Sequence, residues 1–136
     1  MKKLLILLAA FLIISCDIGS DNTPNFESEL MSIESVDIPS EFTFGETYEI
    51  TVFYTRPNDC YAFERFLTQA GADNTRIIAV IDINYLDEVC DNIPVSAEVS
   101  FNFTVTSTDT YTFQFFQGTS SNNEDQYLIV EVPVTQ

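Results

Sequence analysis

The sequence predicts an all-β domain, an antiparallel sandwich of about seven short strands, and three observations carry that reading. Residues 95–105 alternate without a break: Val95, Ala97, Val99, Phe101, Phe103 and Val105 are apolar, and Ser96, Glu98, Ser100, Asn102 and Thr104 between them are polar. A period of two marks a half-buried strand, whereas the apolar stripe of a helix returns at about 3.6 residues. Comparable runs recur at a spacing of roughly a dozen residues, separated by clusters of Gly, Pro, Asn and Asp. No long helical pattern intervenes of the kind that builds a parallel sheet.

The chain has 136 residues, enough for one domain, and 46% of them are hydrophobic, with 12 Phe and 6 Tyr to fill a core. It has no His and no Trp, and all 21 acidic residues lie after Cys16. Beyond that cysteine three arginines stand against them, a net charge of −18. Such a surface repels phosphate backbones and excludes nucleic-acid binding. It keeps the chain soluble and attracts cations or a basic partner.

The N-terminus reads as an address. Lys2 and Lys3 precede an apolar run at residues 4–14, and Ser15, Cys16 and Asp17 end it. At about 1.5 Å per residue the run falls well short of a bilayer core of ~30 Å, so it is a secretory signal and not a spanning helix. Leu12-Ile13-Ile14-Ser15-Cys16 resembles a bacterial lipobox, with a bulky Ile14 as its departure. The resemblance implies a signal peptide over residues 1–15, acylation of Cys16 and attachment to a membrane through the acyl chains. It implies a Gram-negative cell envelope, and the outer membrane or cell surface is favoured over the inner membrane. Asp17 and Asp21 lie where such proteins carry sorting signals, and their spacing does not decide the leaflet.

Three cysteines are an odd number for an exported chain. With Cys16 assigned to lipid by that resemblance, Cys60 and Cys90 remain to pair in an oxidising compartment. Two separate buried thiols are the alternative. Thiol catalysis lacks a histidine base and a Cys-x-x-Cys pair.

Residues 16–29 are polar, with Gly19, Ser20, Asn22, Thr23 and Pro24, and read as a flexible tether. The domain is expected over residues 30–136. Ile33, Val36 and Ile38 mark a first strand, stopped by Pro39-Ser40, and Phe42 and Phe44 alternate briefly before Gly45. Tyr48, Ile50, Val52 and Tyr54 mark a second clear strand, ended by Arg56-Pro57-Asn58-Asp59. Residues 60–67 are aromatic with poor alternation and fit either a strand or a short helix. Residues 76–85 are almost continuously apolar and β-branched, as in a well-buried strand. An acidic loop carrying Cys90 precedes the alternating run already described. Ser107-Thr108-Asp109 then turns the chain, and Tyr111, Phe113 and Phe115 share one face of the next strand. The two runs around this short polar turn are expected to form a hairpin. Residues 127–134 give the last strand, with Leu128, Val130, Val132 and Val134 inward. Pro133, which cannot donate to a ladder, suits an edge.

Asp109-Thr110-Tyr111-Thr112-Phe113 resembles the tyrosine corner of immunoglobulin-like domains, although Phe113 stands where antibody domains carry cysteine. Over residues 30–136 the pattern resembles small Gram-negative bacterial lipoproteins with a single immunoglobulin-like β-sandwich. The fold this implies is an immunoglobulin-like sandwich preceded by a signal peptide and tether.

Catalysis has few places to sit. Without histidine, serine triads and histidine metal sites are excluded, and the four scattered glycines form no phosphate loop. No cofactor is indicated. Asp82, Asp87, Glu88 and Asp91 cluster in sequence and are weak calcium candidates, without EF-hand spacing. If Phe113 and Phe115 point inward, Phe116 falls outside, and so do Tyr127 and Ile129 in the neighbouring last strand. These three form a candidate partner face. The expected function is that of a non-enzymatic envelope lipoprotein that binds a protein or glycan partner. A carboxylate-dependent hydrolase and an inhibitor of a secreted protease are the alternatives.

Overall fold

The computed structural model describes residues 23–136; the expected signal peptide, Cys16 and most of the expected tether lie outside them. The chain is all-β: β1 (Phe26–Met31), β2 (Ile33–Asp37), β3 (Phe42–Thr43), β4 (Thr47–Arg56), β5 (Tyr61–Ala70), β6 (Thr75–Tyr85), β7 (Val95–Thr104), β8 (Tyr111–Thr119), β9 (Asp125–Val132) and β10 (Val134–Thr135). One sheet contains β5, β6, β1, β8 and β9, and the other contains β2, β4 and β7. The two pack face to face as a sandwich.

Alternation places the core as expected. Ile50, Val52 and Tyr54 of β4 face Ile78 and Val80 of β6 and Tyr111, Phe113 and Phe115 of β8, all buried in one cluster. Leu128, Val130 and Val134 pack against it, and Val132 is fully buried. Phe42 fills the centre, with its ring 4.8 Å from Tyr48 and 5.6 Å from Phe103. β5 is a strand throughout, which settles the choice left open for residues 60–67. Its alternation is blurred by a bulge between Phe63 and Arg65, and a bulge shifts which residues share a face.

Several expectations are corrected. The first strand begins at Phe26, so residues 26–29, read as tether, belong to the sheet, and Glu29 lies opposite Asp82. Ile33 opens a separate strand in the other sheet, because the chain changes sheets at Ser32. That change is fixed by β8: the Ser32 hydroxyl donates to the Gln117 carbonyl at 2.5 Å, and Gln117 Nε2 donates to the Ile33 carbonyl at 3.2 Å. Gly118 beside them has φ +114°, and a Cβ there would come within 2.9 Å of Ser32 Oγ. Only glycine suits both demands.

The runs around Ser107-Thr108-Asp109 do not form a hairpin. β7 pairs with β4 over ten residues, while β8 pairs parallel with β6 and antiparallel with β9. The turn is an arch that carries the chain from one sheet to the other, so that both apolar faces meet across the core. Tyr111 locks the arch. Its hydroxyl accepts hydrogen bonds from the backbone N–H groups of Thr106 (3.1 Å) and Ser107 (2.9 Å). Burial pushes this phenol up, but those bonds and the charge of Arg76 outweigh it and leave its pKa lowered. Tyr111 is thus bonded back to the connection just upstream of its own strand. Pro133 splits the last run in two: β9 ends at Val132, and β10 crosses to pair in parallel with β3.

Cys60 and Cys90 form a disulfide, with Cα atoms 5.6 Å apart. It joins the turn after β4 to the acidic loop before β7. Asp59 Oδ1 accepts the Asp91 N–H at 2.9 Å beside it.

Candidate functional site

The two outer faces of the sandwich differ in chemistry. On the three-stranded sheet the outward residues of β4 and β7 are polar apart from Phe53, which lies opposite Glu98, and hydroxyls pair across strands: Thr47 with Thr104 at 2.8 Å and Thr51 with Ser100 at 2.7 Å. On the five-stranded sheet a groove of about 170 Å³ opens, lined by Leu30, Leu67, Gln69, Ile77, Ala79, Phe116, Asp125 and Tyr127.

The topology makes this groove. β1 and β8 lie end to end along one side of β6, pairing with residues 80–85 and 75–78 respectively. β5 lies along the other side and sets Leu67 opposite Ala79. Ala79 is the small residue in the middle, and the larger Leu30, Leu67, Phe116 and Tyr127 stand around it. Leu30 and Leu67 are each half exposed. A single scattered apolar side chain on a surface is ordinary, but a contiguous apolar depression on a sheet face is a mark of partner contact.

Phe116, Tyr127 and Ile129 are brought to this face. Phe116 lies opposite Tyr127 in the β8–β9 ladder, with ring centroids 6.2 Å apart. Ile129 is 59% exposed and Tyr127 is partly exposed, but Phe116 is only 7% exposed. The expectation that Phe116 forms an exposed patch is therefore corrected: it points outward and belongs to the groove wall. Leu30, Leu67, Ile77 and Ala79 come from strands that alternation in residues 111–134 alone does not bring alongside, so sequence reasoning missed them.

The acidic candidates do not converge. Asp82 lies on the inner face of β6 and is fully buried. Its Oδ1 accepts from the Tyr54 hydroxyl at 2.8 Å and its Oδ2 from Arg56 Nε at 2.7 Å, while Arg56 Nη2 donates to the Tyr54 oxygen at 2.9 Å. The three close a ring that ties the two sheets together. Asp82 is thus sealed inside the sandwich, apart from Asp87, Glu88 and Asp91, which lie in the exposed loop. Among the described residues, the metal-type cluster is a different one, Asp59 with Cys60 and Cys90. There both sulfurs are consumed by the disulfide, and a disulfide does not ligate as a thiolate does.

The same ring bears on carboxylate chemistry. Glu29 lies opposite Asp82 in the ladder and accepts a hydrogen bond from the Tyr61 hydroxyl at 2.8 Å. Each carboxylate is held by its own donors, and Asp82 is sealed from solvent. Burial, followed by the hydrogen bond and charge of Asp82, pushes the Tyr54 phenol up to about 12; burial and Glu29 push Tyr61 up to about 12. Burial alone would lower Arg56, but its bonds to Asp82 and Tyr54 outweigh this and raise it.

A pH dependence follows. Both phenols keep their protons in the fold at pH values where free tyrosine, with a pKa near 10, has lost them. Their contribution to stability is complete below about pH 10 and falls as the pH rises to about 12. Thermal melts across that window should show a steep loss. In Tyr54→Phe the loss should be shallower, because one of the two raised groups is gone. An equal slope in both proteins would contradict the assignment.

Comparison with known proteins gives no match: no family model fits the chain, and neither a curated protein nor a solved structure is significantly similar to it.

Proposed function

We propose that the protein is a non-catalytic binding module of the bacterial cell envelope. It is held to a membrane by lipid on Cys16, at the outer membrane or cell surface, and captures a protein partner through the groove on its five-stranded sheet. The groove itself carries this reading: an apolar depression on one outer face, where the other outer face carries mostly hydroxyl, amide and acidic side chains around a single Phe53. A closed apolar cavity of roughly 150 Å³ takes a benzene-sized group, so the scale suits one large apolar side chain of a partner. The net charge of −18 beyond Cys16 supports a partner whose anchor is flanked by basic residues.

Leu67 tests the proposal, because it is half exposed and its replacement does not touch the core. A C-terminally tagged protein is purified from gently solubilised native membranes, beside Leu67→Asp and Cys16→Ser. One stoichiometric protein that is retained by the parent and lost with Leu67→Asp is the expected result. Equal recovery with Leu67→Asp would remove the groove from consideration.

A glycan is the second reading. Tyr127 in the groove wall, with Gln69 and Asp125 elsewhere in the lining, offers an aromatic face and polar groups that suit a sugar ring. Binding to envelope polysaccharide that is lost with Tyr127→Ala, with no protein retained, would replace the protein partner.

A further inference from the structure

We infer that β7 is a strand-addition edge, and that its occupant is a second copy of this chain, paired antiparallel about Ser100. An edge strand exposes a row of backbone donors and acceptors, and proteins guard such edges with bulges, charges, proline or short length. The other free edges here are guarded. β1 has six residues and carries Glu27 and Glu29. β2 has five residues, a bulge, Glu34 and Asp37. β5 is bulged beside Glu64 and Arg65. β9 faces the irregularity between Phe116 and Gly118, carries Asp125 and Glu131, and runs into Pro133.

β7 has none of these devices except a single charge, Glu98. It pairs with β4 through ten consecutive residues without a register shift and contains no proline. Among the described residues, no backbone group of residues 95–104 bonds outside that ladder.

The sequence of β7 complements itself. A two-fold axis at Ser100 sets Ser96 opposite Thr104, Glu98 opposite Asn102 and Ser100 opposite its own copy on the polar face. On the inner face it sets Ala97 opposite Phe103 and Val99 opposite Phe101, a small side chain against a large one each time. Hydroxyl pairs and aromatic–β-branched pairs, here Val99 with Phe101, are favourable across strands, and like charges directly opposite are unfavourable. This register supplies the first two and avoids the third. The β4 ladder already makes pairs of both kinds with the other side of β7: Thr51 with Ser100 and Ile50 with Phe101. The resulting interface is isologous, as in most homodimers, and lies on the sheet opposite to the groove.

Each copy carries −18 beyond Cys16, so association is opposed at long range and strengthens as salt screens the charge. The test is sedimentation of the purified chain, with Cys16→Ser to prevent intermolecular disulfides, from micromolar to millimolar concentration at low and high salt. A monomer–dimer equilibrium that shifts toward dimer with salt is expected. Ser100→Glu places two carboxylates on the axis and should abolish the dimer, with circular dichroism melts confirming the fold. Asn102→Lys places a cation opposite each Glu98 and should tighten the dimer several-fold, in this register only. A monomer under all conditions overturns the inference. So does a dimer that Ser100→Glu leaves intact or Asn102→Lys does not tighten.

Discussion

Replacing Arg56 with alanine is expected to lower the unfolding free energy by roughly 3 kcal/mol. Asp82 is fully buried, and its charge is balanced by Arg56 at 2.7 Å. Removing one partner of such a pair leaves the other charge buried without compensation, which costs about 3–5 kcal/mol. The Arg56 side chain is 20% exposed, so the lower end of that range applies, because some of its attraction is already screened by water. The Tyr54 hydroxyl would still reach Asp82 but would carry the whole load alone. The comparison that identifies the cause is the triple variant Tyr54→Phe, Arg56→Met and Asp82→Leu. Removing all three polar groups together leaves no orphan, so this protein should be far less destabilised than Arg56→Ala, or even more stable than the parent. Urea unfolding of the three proteins decides it. If the triple variant loses as much as the single one, the cost comes from lost packing and not from an unpaired charge.

Removing the disulfide should have an effect of similar size. Cys60 and Cys90 are separated by 30 residues, and closing a loop of that length restricts the unfolded chain by roughly 3–4 kcal/mol on the chain-entropy account. Cys60→Ala with Cys90→Ala should therefore melt roughly 10–20 °C below the parent. The location adds to the effect. Arg56 and Val95 are opposite each other at the end of the β4–β7 ladder, and the disulfide sits just beyond them. With it, these two strand ends are joined by a short path through sulfur; without it, they are joined only through β5 and β6. A double variant that melts with the parent would show that the hydrogen bonds among Asn58, Asp59 and the acidic loop hold this end by themselves.

Periodicity made much of the fold legible, and its limits can be read residue by residue. It placed Tyr111, Phe113 and Phe115 inward correctly, because alternation reports which residues share a face. It does not report which strand lies alongside. The turn at Ser107-Thr108-Asp109 was accordingly read as a hairpin, although an arch between sheets buries the same side chains. Residues 26–29 read as tether because the polar Glu27, Ser28 and Glu29 follow a single apolar Phe26 and show no alternation of their own, although they pair with β6. Asp82 was grouped with Asp87 and Asp91 by proximity in sequence. Its spacing of two from Val80 and four from Ile78 was the available signal that it points into the core. The matching signal for its partners was the same spacing in Tyr54 and Arg56. The groove was only half legible, since its far wall, Leu30 and Leu67, depends on the order of strands in the sheet.

The arch after β7 also governs how quickly the chain can reach its native state. Among the described residues, only β5–β6 and β8–β9 join neighbours in sequence through a short turn. The remaining long ladders couple distant segments: Phe26 with Tyr85, Arg56 with Val95 and Thr75 with Thr112. Distant pairings must lose chain entropy before they gain contacts, and sandwiches dominated by them fold in milliseconds to seconds. The two local hairpins are thus the natural early structures, and the three-stranded sheet, which contains no tight hairpin, is completed late. Until it is, Val99, Phe101 and Phe103 stand unpaired, and the nascent chain is at its most vulnerable to the wrong partner.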